Sequence, residues 1–330
     1  MLSVHITSTG AVGEWAEATR PLLDMAEAAL ASNGPSRYVK ASSPEAADII
    51  LFVEPEYIKL RRYIDVLLAQ PLIRRFPDRC FVADCADTAW GFLPGVYTNL
   101  RAKDANRHRF RAQGYLRFPN PLTEQVYRES RDTPCDLFYS FQGARSSPVR
   151  ARMFERLQHS STTPILHVDR WLDHSTEEHR HYLDTIARSR FVLCPAGNAP
   201  SSYRLYETMQ MGRVPVIISD TWTPSDGPAW PQCSLRLAES RIQDLPDVLR
   251  RYEPFHVEMG IEARRNWEQW FAPDIVFLRY LESIESILLE RPAGHDERRY
   301  QDWDSWSTLW KLGWTVPQRG MARVRKLIRA

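Results

Sequence analysis

The sequence predicts an α/β protein built from two Rossmann-like units that face each other across a cleft. Three observations lead there. Short β-branched or apolar runs alternate with segments rich in helix formers, the pattern of parallel strands joined by crossover helices. The alternation restarts after a polar, proline-bearing joint near residue 130. At 330 residues the chain has the length of roughly two domains of about 150 residues each.

The elements follow in order. Leu2 to Thr7 is short and β-branched, and Gly10 and Gly13 break it. Pro21 to Leu30 is rich in good helix formers with proline near the first turn, and Asn33-Gly34-Pro35 supplies its stop. Asp48 to Val53 is a continuous apolar run, as in a strand buried on both faces. Ile58 to Gln70 has helical spacing, and Cys80 to Asp84 is a further strand. The joint lies between Pro119 and Pro134, which makes residues 1–130 the first lobe. A second set spans 131–290, with strands at Asp136 to Phe141, Pro164 to Val168, Arg190 to Cys194 and Val214 to Ser219. Residues 291–330 form a Trp-rich helical tail expected to pack back on the lobes.

Composition narrows the function. Hydrophobic residues at 43% and charged residues at 25% belong to a folded globular chain. Lys plus Arg number 43 against 41 Asp plus Glu, a formal net charge of +2, so there is no broad basic field for a nucleic-acid backbone. The longest strongly apolar run, Ile49 to Val53, is far short of a bilayer span. Met1-Leu2-Ser3-Val4-His5 has neither a basic start nor a long apolar core, so no secretory leader is expected. Five scattered cysteines (Cys80, Cys85, Cys135, Cys194 and Cys233) without CxxC spacing read as free thiols of a reducing, cytoplasmic compartment.

The richest stretch runs from Phe191 to Asp220 and reads as strand, Gly/Pro loop, helix, glycine stop and strand. Ser201 and Ser202 sit where an N-cap belongs, and Gly212 where a C-terminal glycine belongs. The helix therefore opens beyond the C-terminal end of a parallel strand, where open α/β sheets bind ligands. Free N–H groups and the positive end of the helix dipole favour an anion such as a diphosphate there. Arg204 lies in the first turn with Glu207 three residues on. A planar guanidinium holds two phosphate oxygens, and a carboxylate one turn deeper accepts from both ribose hydroxyls. The alternative is a surface ion pair of the i,i+3 kind, worth a few tenths of a kcal/mol.

This stretch resembles the exostosin domain, glycosyltransferase family 47. The resemblance rests on Ser189-Arg190-Phe191, Leu193-Cys194-Pro195-Ala196-Gly197, Ser202-Tyr203-Arg204-Leu205-Tyr206-Glu207 and Gly212-Arg213-Val214-Pro215-Val216-Ile217-Ile218-Ser219-Asp220. Phe141-Gln142-Gly143 and Val149-Arg150 upstream, and Trp230 and Asp244-Leu245-Pro246 downstream, fit the same pattern. Arg213 replaces the usual cysteine, and Ala196 stands where many members carry a polar or basic residue. No Golgi-type membrane anchor is expected, as in a soluble bacterial-type relative. The resemblance implies a GT-B fold and inverting transfer of a sugar from a nucleotide-sugar donor, with no bound metal and no other cofactor. The acceptor would be a hydroxyl of a glycan, glycolipid or small molecule.

Inverting transfer needs a stabilised leaving diphosphate, an oriented donor and an acceptor hydroxyl that loses its proton as it attacks. Arg204, the N–H groups after Ser201, and Arg145 are the candidates for the first task, with Gly143 letting the backbone approach the donor. Arg145 reads equally well as a solvated loop charge. Glu207 takes the ribose. The base is expected from the first lobe, where Asp84 and Asp87 follow a strand; Asp87 is preferred. Each aspartate has an alternative role as the cap of the next turn. Gly91 to Tyr97 would form an acceptor-side loop with aromatic faces for sugar. Two other readings remain: a nucleotide-sugar or glycan binding protein without turnover, and a phosphorylase or epimerase that acts without an acceptor alcohol.

Three further signals have simpler explanations. His174, Glu178 and His181 could share a helical face as metal ligands, but Ser175 to Glu178 is a capping box. Asp302-Trp303-Asp304 precedes a predicted helix instead of ending a strand, so it reads as a cap and not as a metal-diphosphate motif. Trp303, Trp306, Trp310 and Trp314 recur at helical spacing as a packing stripe. With the basic, amphipathic Arg323 to Arg329 beside it, a peripheral contact with the inner membrane face is the alternative.

Overall fold

The computed structural model describes residues 1–10, 16–32, 37–55, 69–88, 91–117, 120–168 and 175–292. The chain divides into two compact units: Met1–Tyr97, Asn106–Arg111 and the residues from Tyr280 onward in one, Thr98–Ala105 and Ala112–Arg279 in the other. The helix expected within 58–70, except for its last two residues, the turn at 33–35, Gly13, and the Trp stripe and basic stretch beyond 292 lie outside the described residues.

The first unit runs β1 (Leu2–Thr7), α1 (Ala16–Ser32), β2 (Tyr38–Lys40), β3 (Ile49–Glu54), α2 (Pro71–Arg75), β4 (Cys80–Asp84), β5 (Gly95–Tyr97) and β6 (Phe110–Ala112). The strands form one sheet in the order β2-β1-β3-β4-β5-β6, with β1/β2, β1/β3, β3/β4 and β4/β5 parallel. All of β3 and all of β4 are buried, as a run without polar alternation requires when both faces are covered. α1 buries Leu22, Ala26, Ala29 and Leu30, one helical stripe. It starts earlier than proline placement suggests, so Pro21 falls inside the helix, where it removes a backbone hydrogen bond.

The stretch expected to be an acceptor loop folds inward instead. Gly95 to Tyr97 is a buried strand, and the Tyr97 hydroxyl is engaged by Phe92 N at 2.8 Å and by the Leu93 carbonyl. A Cβ on Gly95 would lie 2.0 Å from the Val82 carbonyl oxygen, so close pairing of β4 with β5 needs glycine there. Phe92 and Tyr97, at 4% and 0% exposed, present no face to a sugar.

The second unit contains α3 (Thr123–Glu129), β7 (Leu137–Gly143), α4 (Pro148–Arg156), β8 (Ile165–His167), α5 (Thr176–Ala187), β9 (Ser189–Pro195) and α6 (Tyr203–Gln210). β10 (Val214–Ile218), α7 (Trp230–Cys233), β11 (Leu235–Arg236), α8 (Leu245–Tyr252), α9 (His256–Trp270) and α10 (Val276–Glu290) follow, the last continuing into the first unit from Tyr280. The sheet order is β11-β10-β9-β7-β8, and each neighbouring pair is parallel. The period of two decides the layers. Phe191 and Leu193 join Val214, Val216 and Ile218 in one core with Phe141, Met153 and Leu245. Val192 faces a second cluster with Leu183 and Ile186, and Cys194 and Ile217 a third with Tyr206, Trp267 and Phe271.

The helix boundaries follow their local chemistry. Gly212 ends α6 with φ +62°, its N–H donating to the Met209 carbonyl at 3.0 Å. Ser175 and Glu178 make the reciprocal capping box of α5, at 3.1 and 2.7 Å. Ser175→Ala is expected to cost about 1 kcal/mol, read as a lower urea midpoint at unchanged slope. All five cysteines are free thiols. Among the described residues, no helix is long and apolar enough to cross a membrane.

Candidate functional site

β7 and β9 are neighbours in a parallel sheet, so the loops that follow them open at the same edge. One loop leads into α4 and the other into α6. Ser147 ties the two together. It caps α4 by accepting from Arg150 N at 3.2 Å and donates its hydroxyl to the Ala196 carbonyl at 2.7 Å.

Each helix puts an arginine in its first turn, Arg150 on α4 and Arg204 on α6. Both guanidinium groups lie against the buried Phe141 ring, at 5.6 Å and 4.4 Å from its centroid. Arg204 donates through Nη2 to the Gln142 carbonyl, and its Nε and Nη1 are buried with no hydrogen-bond partner among the described residues. Arg150 donates through Nη1 to the Ala144 carbonyl at 3.3 Å, and its Nε is buried with no partner among the described residues. Two glycines leave the space these groups fill. A Cβ on Gly143 would stand 3.0 Å from Arg204 Nη2, and one on Gly197 would stand 2.9 Å from Arg150 Nη2.

Glu207 is one turn along α6, buried, and accepts from the Tyr182 hydroxyl at 2.8 Å. Burial raises its pKa, opposed by the Tyr182 hydrogen bond and the Arg204 charge. Burial lowers the pKa of Arg150 to about 10, with the like charge of Arg204 adding to the effect. Two cations therefore lie against one buried ring, with the Glu207 carboxylate one turn along α6 from the second and N–H donors to spare. An anion with several oxygens is the ligand such a recess can stabilise.

Gly143, Arg204 and Glu207 come together as neighbours. Ser202 takes the N-cap position with extended backbone (φ −151°, ψ 153°), though its side chain makes no cap hydrogen bond. Ser201 is buried, and its N–H donates to Asn99 Oδ1 at 3.3 Å. Arg145 is exposed, with its guanidinium 5.6 Å from the Phe154 ring. In the first unit, Asp84 ends β4 at 1% exposed, with Oδ1 accepting from Ala86 N at 3.0 Å. Asp87, on the bend that follows, is half-buried. Asp84 pairs in register with Glu54 of β3, a buried carboxyl that the sequence reading passed over. Arg150, Tyr182 and the Phe141 ring were also missed as members of the recess. Phe141 and Arg150 had been named for the family pattern but given no role, and for Arg150 the signal was Ser147-Pro148, a helix start that places residue 150 in the first turn.

Parallel sheets wrapped by helices, with two buried arginines near the C-terminal sheet edge, define an α/β protein of Rossmann-like units. Residues 79–252, over half of the chain, match the Exostosin GT47 domain, and the protein belongs to that family. It is 30% identical over 138 residues to Exostosin-1 homolog of Caenorhabditis elegans, covering 41% of this chain and 34% of that one. It is 48% identical over 71 residues to probable glucuronoxylan glucuronosyltransferase IRX7 of Arabidopsis thaliana, covering 21% and 16%. The chain thus spans about a third or less of the length of these relatives. Among solved structures it is similar to WaaG, a glycosyltransferase involved in lipopolysaccharide biosynthesis, at 12% identity, 87% and 99% coverage and a TM-score of 0.37.

Proposed function

We propose that the protein is an inverting glycosyltransferase of GT-B arrangement that moves a sugar from a nucleotide-sugar donor to a hydroxyl of a glycan, glycolipid or small molecule. The observation that carries this reading is Arg204: a guanidinium in the first turn of α6, with two buried nitrogens unsatisfied, inside the segment that bears the family signature. Arg204 and the N–H groups at the start of α6 would take the charge that develops on the leaving diphosphate. Glu207, held by Tyr182, would accept from the ribose hydroxyls. Gly143, Ser201 and Ser202 shape the loops around that site, and Arg145 would act from the loop rim.

Asp87 is the preferred base. Asp84 is buried and already caps the turn, whereas Asp87 keeps partial access to solvent. Because side-chain cations can neutralise the leaving group, no metal is required for this chemistry, and transfer should survive excess EDTA. Relatives named glucuronosyltransferases and a probable β-1,4-xylosyltransferase of Arabidopsis thaliana make glucuronosyl and xylosyl donors the first to try. A peripheral membrane contact through the basic stretch Arg323 to Arg329 belongs to the same proposal, tested by liposome co-sedimentation with and without the last ten or so residues.

The deciding test is a donor panel with two readouts, melting temperature and sugar transfer. A nucleoside diphosphate or its sugar is expected to raise the melting temperature, by about 2.7 kcal/mol of stabilisation at a hundredfold excess over Kd. Transfer to an acceptor should follow. Binding without transfer or hydrolysis across the panel would leave a binding protein instead of an enzyme.

A further inference from the structure

A guanidinium taken out of water ordinarily has a carboxylate beside it, because pairing must offset the lost hydration. Arg150 breaks that rule. The residue is 6% exposed, Nε has no hydrogen-bond partner, and among the described residues no carboxylate stands within ion-pair distance of it. The neighbouring charge is Arg204, of the same sign and packed on the same Phe141 ring. Burial and that like charge together bring the Arg150 pKa down to about 10.

The surroundings are nonetheless built to hold this side chain. Gly197 leaves the volume for Nη2, the Ala144 carbonyl takes Nη1, and Ser147 fixes the start of α4 from which the arginine projects. A same-sign pair kept this way costs folding stability. What relieves it is an anion that reaches both guanidinium groups, with oxygens on two linked centres so that each fork has its own.

We infer that Arg150 is a second donor-binding residue, which with Arg204 brackets the diphosphate of the nucleotide donor. The inference rests on the donor-binding reading given above. It separates Arg150 from a structural role because the two roles predict different ligand dependence. A bracketing cation acts on a diphosphate far more than on a monophosphate, whereas a strut of the fold acts on both alike.

The experiment is titration calorimetry and thermal melting of the full chain with UDP, GDP and ADP and with the matching monophosphates. Arg150→Met is expected to weaken the diphosphate that binds wild type by about ten-fold or more. The monophosphate should weaken by a smaller factor. The ligand-free variant should melt no lower than wild type, since a buried like charge is gone. Arg150→Lys, which restores charge without the fork, should recover only part of the affinity. Unchanged diphosphate affinity in Arg150→Met, or equal losses for mono- and diphosphate, overturns the inference. Should that variant fail to fold, Gly197→Ala decides, since it keeps the arginine but presses on Nη2. Weakened diphosphate binding upholds the inference, and unchanged binding overturns it. A wild type that binds none of the nucleotides fails at an earlier step, because it removes the donor reading itself.

Discussion

Arg204→Ala is expected to abolish the melting-temperature increase that a nucleoside diphosphate gives the wild-type protein, and to cut sugar transfer by roughly 10²- to 10³-fold. The reason is where the unsatisfied donors are. Among the described residues, Nε and Nη1 of Arg204 have no hydrogen-bond partner, so their hydrogen-bonding capacity is left for a ligand. A charge-assisted bond to a ligand oxygen is worth about 1.5–3 kcal/mol, and two such bonds account for the expected loss. The fold should survive. The substitution removes the bond to the Gln142 carbonyl, the contacts with the Phe141 and Tyr182 rings and a charge that favours the Glu207 carboxylate, while it relieves the repulsion felt by Arg150. The net change should stay within about 2 kcal/mol. Arg204→Lys keeps the charge and loses the planar fork, so it should retain weak binding and little transfer. An unchanged thermal shift in Arg204→Ala would take this residue out of the site.

The central strands and the helix between them were legible in the sequence for a physical reason. β9, α6 and β10 combine a continuous apolar run, a serine-marked helix start and a glycine stop, signals that do not depend on distant residues. β2, β5 and β11, of two or three residues each, carry no such pattern, and pairing with longer neighbours makes them strands. The recess divides along the same line. Arg204 and Glu207 stand out because their spacing and helix position are local. Arg150 stands out only as part of the family pattern and not as a member of the site, because its burial depends on Gly197 and Phe141, which the sheet brings to it from other elements. Glu54 was missed for a similar reason: it ends an apolar run, and only the register of β3 with β4 sets it opposite Asp84.

That register leads to the second large expected effect, a fall in stability as pH rises from about 5 to 8 that Glu54→Gln should remove. Glu54 is 0% exposed. It accepts from Thr9 N at 2.9 Å, Thr9 Oγ1 at 2.7 Å and Ser8 Oγ at 3.3 Å. Burial outweighs those bonds, Asp84 adds to it, and the carboxyl is pushed up to about 8. In the unfolded chain a glutamate titrates near 4.3, so between about 4.3 and 8 the native state holds a proton that the unfolded state has released. Stability then falls with rising pH, by at most about 1.4 kcal/mol per unit and about 5 kcal/mol across the window. Below the window the full contribution is present; above it the loss is complete. Glutamine is neutral throughout and keeps a carbonyl oxygen for Thr9, so the variant should match wild type at pH 5 and exceed it at pH 8.5. Urea unfolding at both pH values checks this, and a wild type with no slope across the window would refute it. Asp84→Asn supplies the control on cause. With that neighbouring carboxylate gone, the Glu54 titration should move to lower pH, so in this variant the fall in stability should still begin near the unfolded value but end at a lower pH and be smaller in total.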